Sequence, residues 1–182
     1  GENVEQRRRL KNIAVNALQG RISDDNDIAT QHLRVGGPAD YLIETRNSEE
    51  LLTGLRLAAR AGVAVTILGG GSNVLVSDRG IRGLVIRPRG GTIVRLDDAR
   101  VRADAAVTIN GLVRWTITHG AAGLEAWAGT PGTVGGAIFG NAHFGGRLIG
   151  DLVESVTLAS RSGERADAPR DARGGHQAQR AP

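Results

Sequence analysis

Val63-Ala64-Val65-Thr66-Ile67-Leu68-Gly69-Gly70-Gly71-Ser72-Asn73-Val74-Leu75-Val76 is the stretch whose reading decides the fold class. The near-continuous apolar run Val63–Leu68 reads as a buried strand, and Val74–Val76 resumes as another. Between them, glycines let the backbone take positive φ and come close to a ligand. Successive amide N–H groups in such a turn form an anion-binding concavity suited to a pyrophosphate, with the Ser72 hydroxyl and the Asn73 amide as further donors. A tight hairpin that needs glycine is the alternative at this point. It is not a dinucleotide fingerprint of the Rossmann kind: Val74 stands where a third glycine is required, and a strand follows where a helix should.

Upstream, Asn47-Ser48-Glu49-Glu50 opens a helix, because an Asx or Ser cap with early acids satisfies free amides and the helix dipole. Leu51, Leu52, Leu55, Ala58 and Ala59 form its apolar stripe, and Gly62 ends it. Leu33–Ala39 reads as a short strand closed by a Gly-Gly-Pro turn, followed by a strand over Asp40–Glu44. Residues 3–19 show helical spacing, and 23–27 read as a polar loop. Downstream, short strands fit Leu84–Ile86, Thr92–Leu96, Arg100–Ala105 and Leu152–Ala159. Thr108 caps a helix that ends at Gly120, and Ser162-Gly163 makes a turn.

A second glycine-rich segment runs Gly129-Thr130-Pro131-Gly132-Thr133-Val134-Gly135-Gly136, with Asn141 just beyond it. Pro131 fixes φ, and the glycines around it permit a close backbone approach to a flat or charged ligand. With 27 glycines in 182 residues, the chain holds about twice the usual share of ~7%. Two such loops argue for a bound ligand over simple connections. His143, beside the second loop, reads as structural, Trp115 and Trp127 as core, and Glu125 as a buried carboxylate holding backbone amides.

Composition excludes several functions. There is no cysteine, hence no disulfide framework, thiolate metal site or cysteine nucleophile. The four histidines lack ligand spacing, so no metal is expected. Lys11 is the one lysine, and no Gly-Lys-Ser/Thr triplet of a phosphate-binding Walker loop exists. The net charge of +4 resides at the ends: residues 1–11 and 165–182 each carry four basic and two acidic groups, leaving 12–164 neutral. With five aromatics in the chain, this is not the pattern of a nucleic-acid-binding face. No apolar run is long enough to cross a bilayer, so a soluble, cytoplasmic protein is expected.

Leu33-Arg34-Val35-Gly36-Gly37-Pro38-Ala39, Ile67–Val76, Gly123-Leu124-Glu125, Gly129–Gly136 and Gly140-Asn141-Ala142 occur in order. Together they resemble the UDP-N-acetylenolpyruvoylglucosamine reductase (MurB) family of peptidoglycan synthesis, over residues 28–164. The resemblance implies an α+β fold, a two-lobed FAD-binding domain of the vanillyl-alcohol oxidase (p-cresol methylhydroxylase) type, preceded by an N-terminal helix and polar loop over 1–27. It places the pyrophosphate at Gly69, Gly70, Gly71, Ser72 and Asn73. Gly129, Thr130, Pro131, Gly132, Thr133, Gly135 and Gly136 then lie along the cofactor, with Asn141 near the isoalloxazine. The family reaction takes hydride from NADPH through FAD to the enolpyruvyl ether of a UDP-sugar, a step in cell-wall biogenesis that bears on cell shape and division.

Two departures matter. His143-Phe144-Gly145-Gly146 stands where family members have Ala-Tyr-Gly, which puts Gly145 at the tyrosine. The family's catalytic serine, arginine and glutamate lie in a substrate domain beyond the strand matching Leu152–Ala159. The Tyr-Arg-x-Ser motif of that domain is missing from this sequence, so no catalytic residue is assigned. Residues 165–182 contain no Val, Ile, Leu, Phe, Tyr or Trp and are expected to be disordered, because burial cannot offset their ordering entropy. A truncated or frame-disrupted FAD-binding half, inactive alone and self-associating through its uncovered face, is the resulting expectation. Another flavin oxidoreductase of the same superfamily, a non-catalytic nucleotide-binding module and a ligand-free remnant are the rival readings.

Overall fold

A computed structural model describes residues 22–23, 26–27 and 37–169. The helix expected over 3–19, the segment 33–36 and the tail beyond 169 lie outside the described residues. The first lobe is a five-stranded sheet. β1 (Ile22–Ser23) and β2 (Asn26–Asp27) pair antiparallel with β3 (Pro38–Thr45), so the span read as a polar loop contributes two short strands. β4 (Val65–Ile67) and β5 (Ile81–Pro88) extend the sheet in parallel, in the order β1-β3-β5-β4.

The helix α1 (Ser48–Ala61) is built as its sequence dictates. Asn47 Oδ1 accepts the Glu50 N–H at 2.9 Å, Glu50 Oε2 accepts the Arg46 N–H at 2.9 Å, and Gly62 closes the helix at φ 64°. Its apolar stripe packs Leu52, Leu55 and Ala58 against Tyr41, Ile43, Leu84 and Ile86 of the sheet. On the opposite face Val85 gathers Ala39, Leu68 and Val76.

Two strand expectations fail here. Val63–Leu68 is not a buried strand: only Val65–Ile67 pairs, β4 is an edge strand, and Ile67 is half-exposed. Val74–Val76 is not a strand at all; Leu75 is 82% exposed and only Val76 turns into the core. Apolar composition marked this stretch, but among the described residues no strand pairs with it.

The second lobe begins with the antiparallel pair β6 (Ile93–Arg95) and β7 (Val101–Ala103). α2 (Ile109–Thr118) follows, its first turn capped by Thr108 Oγ1, which accepts the Gly111 N–H at 3.0 Å. α3 (Val134–Phe139) leads to a small hairpin, β8 (His143–Phe144) and β9 (Arg147–Leu148). Trp127, fully buried, centres the core of this lobe among Val107, Ile109, Leu112, Val113, Val134 and Ile149. Trp115 is only half-buried; its ring stacks on His119 with centroids 4.0 Å apart, so it is not core.

A last hairpin, β10 (Ser155–Ala159) and β11 (Arg165–Pro169), ties the two lobes. Its turn packs Gly163 onto α1, where Arg56 donates to the Gly163 carbonyl at 3.2 Å, and Arg165 pairs with Glu49 at 2.7 Å. At its foot Glu154 pairs with Arg100. Disorder from residue 165 onward is therefore corrected for 165–169. A ladder of backbone hydrogen bonds orders those residues without large apolar side chains. Among the described residues, no helix is long and apolar enough to cross a membrane.

Candidate functional site

The first glycine loop leaves β4 after Leu68, whose N–H bonds the Ile86 carbonyl at 2.9 Å, and returns at Val76. Beyond it the Ser77 carbonyl accepts two amides, Gly37 at 2.9 Å and Gly80 at 2.8 Å. A Cβ on Gly80, at φ 74°, would collide with the Pro38 carbonyl, and one on Gly37 with the Asp78 carbonyl. Gly37 and Pro38 therefore brace this loop, which explains why glycines, Gly37 and Gly80, sit at both ends of the contact. Within the loop, none of the backbone N–H groups of Gly69, Gly70, Gly71, Ser72 and Asn73 bonds another described residue. Five consecutive uncommitted amides are the donor array that an anionic group requires.

The second loop is different. Its amides are largely committed: Gly129 donates to Asn110 Oδ1 at 2.7 Å, Val134 to the Val107 carbonyl at 2.8 Å and Gly135 to the Ala105 carbonyl at 2.8 Å. Thr133 caps α3 by accepting the Gly136 N–H at 3.3 Å. This segment is a braced wall and not a second nest.

The two loops touch. A Cβ placed on Gly69 would lie 2.7 Å from Thr133 Oγ1, and one on Gly132, at φ 106°, would lie 2.8 Å from Ser72 Oγ. Both glycines are there because the other loop occupies the space. In the same wall, the Thr130 hydroxyl and the Trp127 indole N–H are buried without a hydrogen-bond partner among the described residues. Pro131 is exposed beside them.

Asn141 lies beyond α3 at φ 43°, and its Oδ1 accepts the Gly150 N–H at 3.1 Å, so its carbonyl is committed to holding a turn. Glu125 is exposed, contrary to the expectation of burial, but it does hold backbone: its carboxylate accepts the Gly123 N–H at 2.8 and 3.0 Å. Its own backbone N–H and that of Gly123 keep its carboxyl below the ordinary value, and Arg147 adds to this. Asn110 was not singled out in the sequence, although it anchors the start of the second loop; its position two residues after the Thr108 cap is the only cue. His143 is exposed on β8. No group of three His, Cys, Asp or Glu among the described residues is placed to hold a metal ion.

A nest of free amides in register with a braced wall agrees with the match to known families: residues 39–168 match the FAD binding domain family. The chain belongs to the FAD-binding domain family. Within it, the chain is 50% identical over 113 residues to UDP-N-acetylenolpyruvoylglucosamine reductase of Rubrobacter xylanophilus, covering 60% of this chain and 37% of that protein. The crystal structure of the corresponding reductase (MurB) from Thermus caldophilus superposes with a TM-score of 0.61 at 31% identity, covering 76% of this chain and 48% of that one. p-Cresol methylhydroxylase, at 11% identity, shares the fold with a TM-score of 0.61 over 96% of this chain and 37% of that one. The α+β fold is thus that of the two-lobed FAD-binding domain. The chain spans about half the length, 37% to 52%, of the curated relatives it matches.

Proposed function

We propose that this FAD-binding domain is the flavin-holding part of a UDP-N-acetylenolpyruvoylglucosamine reductase. The observation that carries the reading is the row of uncommitted amides at Gly69–Asn73 facing a wall of glycines at Gly129–Gly136. Such a row is selective for a doubly charged diphosphate over neutral groups. The residues present fit the cofactor: where the two loops meet, glycine on one leaves room for only a small hydroxyl side chain of the other, Thr133 against Gly69 and Ser72 against Gly132, and the wall carries a buried hydroxyl, Thr130 Oγ1, with no partner among the described residues. Gly69, Gly70, Gly71, Ser72 and Asn73 hold the pyrophosphate. Gly129, Thr130, Pro131, Gly132, Thr133, Gly135 and Gly136 line the cofactor's length. Asn141 shapes the turn at the isoalloxazine end.

Hydride transfer from NADPH to the enolpyruvyl ether of a UDP-sugar is the chemistry that FAD supplies when bound, giving the lactyl ether used in peptidoglycan. This chain's residues bind and orient; no residue within it is assigned to proton donation. On this reading residues 28–164 form the cofactor domain of a cytoplasmic enzyme, and they turn over no substrate alone. Apolar side chains at the edge of the second lobe, with Phe139 81% exposed and Phe144, Leu148 and Leu152 partly so, favour self-association of the isolated chain.

The test is a titration of the purified protein with FAD, followed by the visible absorption of the flavin and by melting temperature. NADPH and the UDP-sugar are then added. Saturable FAD binding without turnover is expected. A melting temperature unmoved by FAD overturns the reading, and turnover by this chain alone overturns the inactivity.

A further inference from the structure

Arg87 stands near the carboxyl end of β5, the central parallel strand. Along β5, Leu84 and Ile86 face α1 while Val85 faces Leu68 and Val76, so alternation puts Arg87 on Val85's face. On one side the register pairs Arg87 with Glu44 of β3. On the other, the Leu68 to Ile86 hydrogen bond continues the β4 pairing, so Leu68 lies alongside Arg87. Leu68 is where the first glycine loop leaves, and Val76, on the same face, is where it returns.

The charge of Arg87 is poorly matched. Its side chain is 13% exposed, its Nε is buried without a partner, and its guanidinium makes no hydrogen bond to a described residue. Its ion partner, Glu44 Oε1, is 4.0 Å away, and that oxygen is already held by Arg89 Nε at 2.8 Å. Two guanidinium groups thus share one carboxylate oxygen. Burial, with Arg89 adding to it, pushes the Arg87 guanidinium below its ordinary value, and Glu44 only partly offsets this. A largely buried cation is ordinarily paired and hydrogen-bonded. Ligands of open parallel sheets sit at the carboxyl edge of the strands, which is where this cation stands.

We propose that Arg87 is a binding residue for a phosphate group held by the first glycine loop, its planar fork supplying the charge that the uncommitted amides of Gly69–Asn73 lack. The identity of that phosphate as the cofactor's diphosphate rests on the flavin reading above. ADP carries the diphosphate without the flavin, and riboflavin carries the ring system without phosphate, so the two separate the claims.

Binding of ADP, FAD and riboflavin is measured by calorimetry on the wild type, Arg87→Gln and Arg87→Lys at two salt concentrations. Arg87→Gln is expected to weaken ADP and FAD by about ten- to hundredfold, the size of a charge-assisted hydrogen bond. It should also flatten their salt dependence and leave riboflavin unchanged, with Arg87→Lys between. The ligand-free melting temperature of Arg87→Gln should not fall. A wild type that binds ADP but neither FAD nor riboflavin removes the flavin reading and leaves Arg87 judged on ADP alone. Unchanged ADP affinity in Arg87→Gln, equal losses for ADP and riboflavin, or a wild type that binds no ADP each overturns the proposal.

Discussion

Replacing Gly69 by alanine tests whether the two glycine loops are one site. The added Cβ would stand 2.7 Å from Thr133 Oγ1, and the β and γ2 carbons of Thr133 stay at 3.9 Å. The clash is therefore with one atom. The cheapest relief is rotation of Thr133 about χ1, which breaks its cap on the Gly136 N–H and costs about 1 kcal/mol. If Thr133 holds its rotamer, the overpacking costs about 1–3 kcal/mol instead. Thr133→Ala alone removes the same cap, about 1 kcal/mol, and also removes the clashing atom. The double variant Gly69→Ala, Thr133→Ala should then cost about as much as Thr133→Ala by itself, so the cycle is non-additive by about 1 kcal/mol or more. Urea unfolding midpoints of the four proteins give the coupling. Strictly additive losses would refute the contact between the loops and the reasoning built on it.

Other outcomes follow from single features. Gly80→Ala meets both a positive φ of 74° and the Pro38 carbonyl, whereas Gly120→Ala meets a φ of 67° in open space. The second should cost about 1–2 kcal/mol and the first clearly more by urea unfolding; equal losses would contradict the brace. Trp127→Phe removes a buried unpartnered N–H, worth about 1–3 kcal/mol, against a small cavity, so its stability should be close to wild type. Trp127→Ala should cost about 3–5 kcal/mol, and a comparable loss in the phenylalanine variant would point to a hydrogen bond from the indole. Glu125 is held below its ordinary value of 4.5, so its contribution is complete above that pH and is lost as pH falls through its lower folded value. The gap in urea midpoint between wild type and Glu125→Gln should therefore be constant near neutrality and close in acid. A gap that persists at low pH contradicts the carboxylate–amide clamp.

Local chemistry was legible where one segment decides it. The Asn47 cap, the apolar stripe of α1 and the Gly62 stop are read in consecutive residues and recur in the structure. The Thr108 cap is another such case. Strand pairing was not legible, because it depends on which neighbour is available. Among the described residues, Val63–Leu68 is as apolar as a central strand but lies at an edge, and Val74–Val76 has no strand partner. Arg165–Pro169 erred in the opposite direction: its side chains carry no apolar signal, and the backbone ladder to Ser155–Ala159 orders it.

The same holds at the site. That each loop needs glycine was visible in composition, but that Gly69 yields space to Thr133 and Gly132 to Ser72 is a contact between residues 60 or more positions apart. The difference between free amides in one loop and committed amides in the other is a property of partners, and partners such as Asn110 and Ala105 lie outside both motifs. Arg87 looked like one arginine among 22 until the register placed it beside Leu68 and left its Nε without an acceptor.

The central claim is that both glycine loops serve one cofactor, and an FAD titration followed by amide ¹⁵N–¹H spectra tests it most directly. The account expects the amides of Gly69–Asn73 and those of Gly129–Gly136 to shift together, along one saturation curve. Shifts confined to one loop, or none in either, would contradict it.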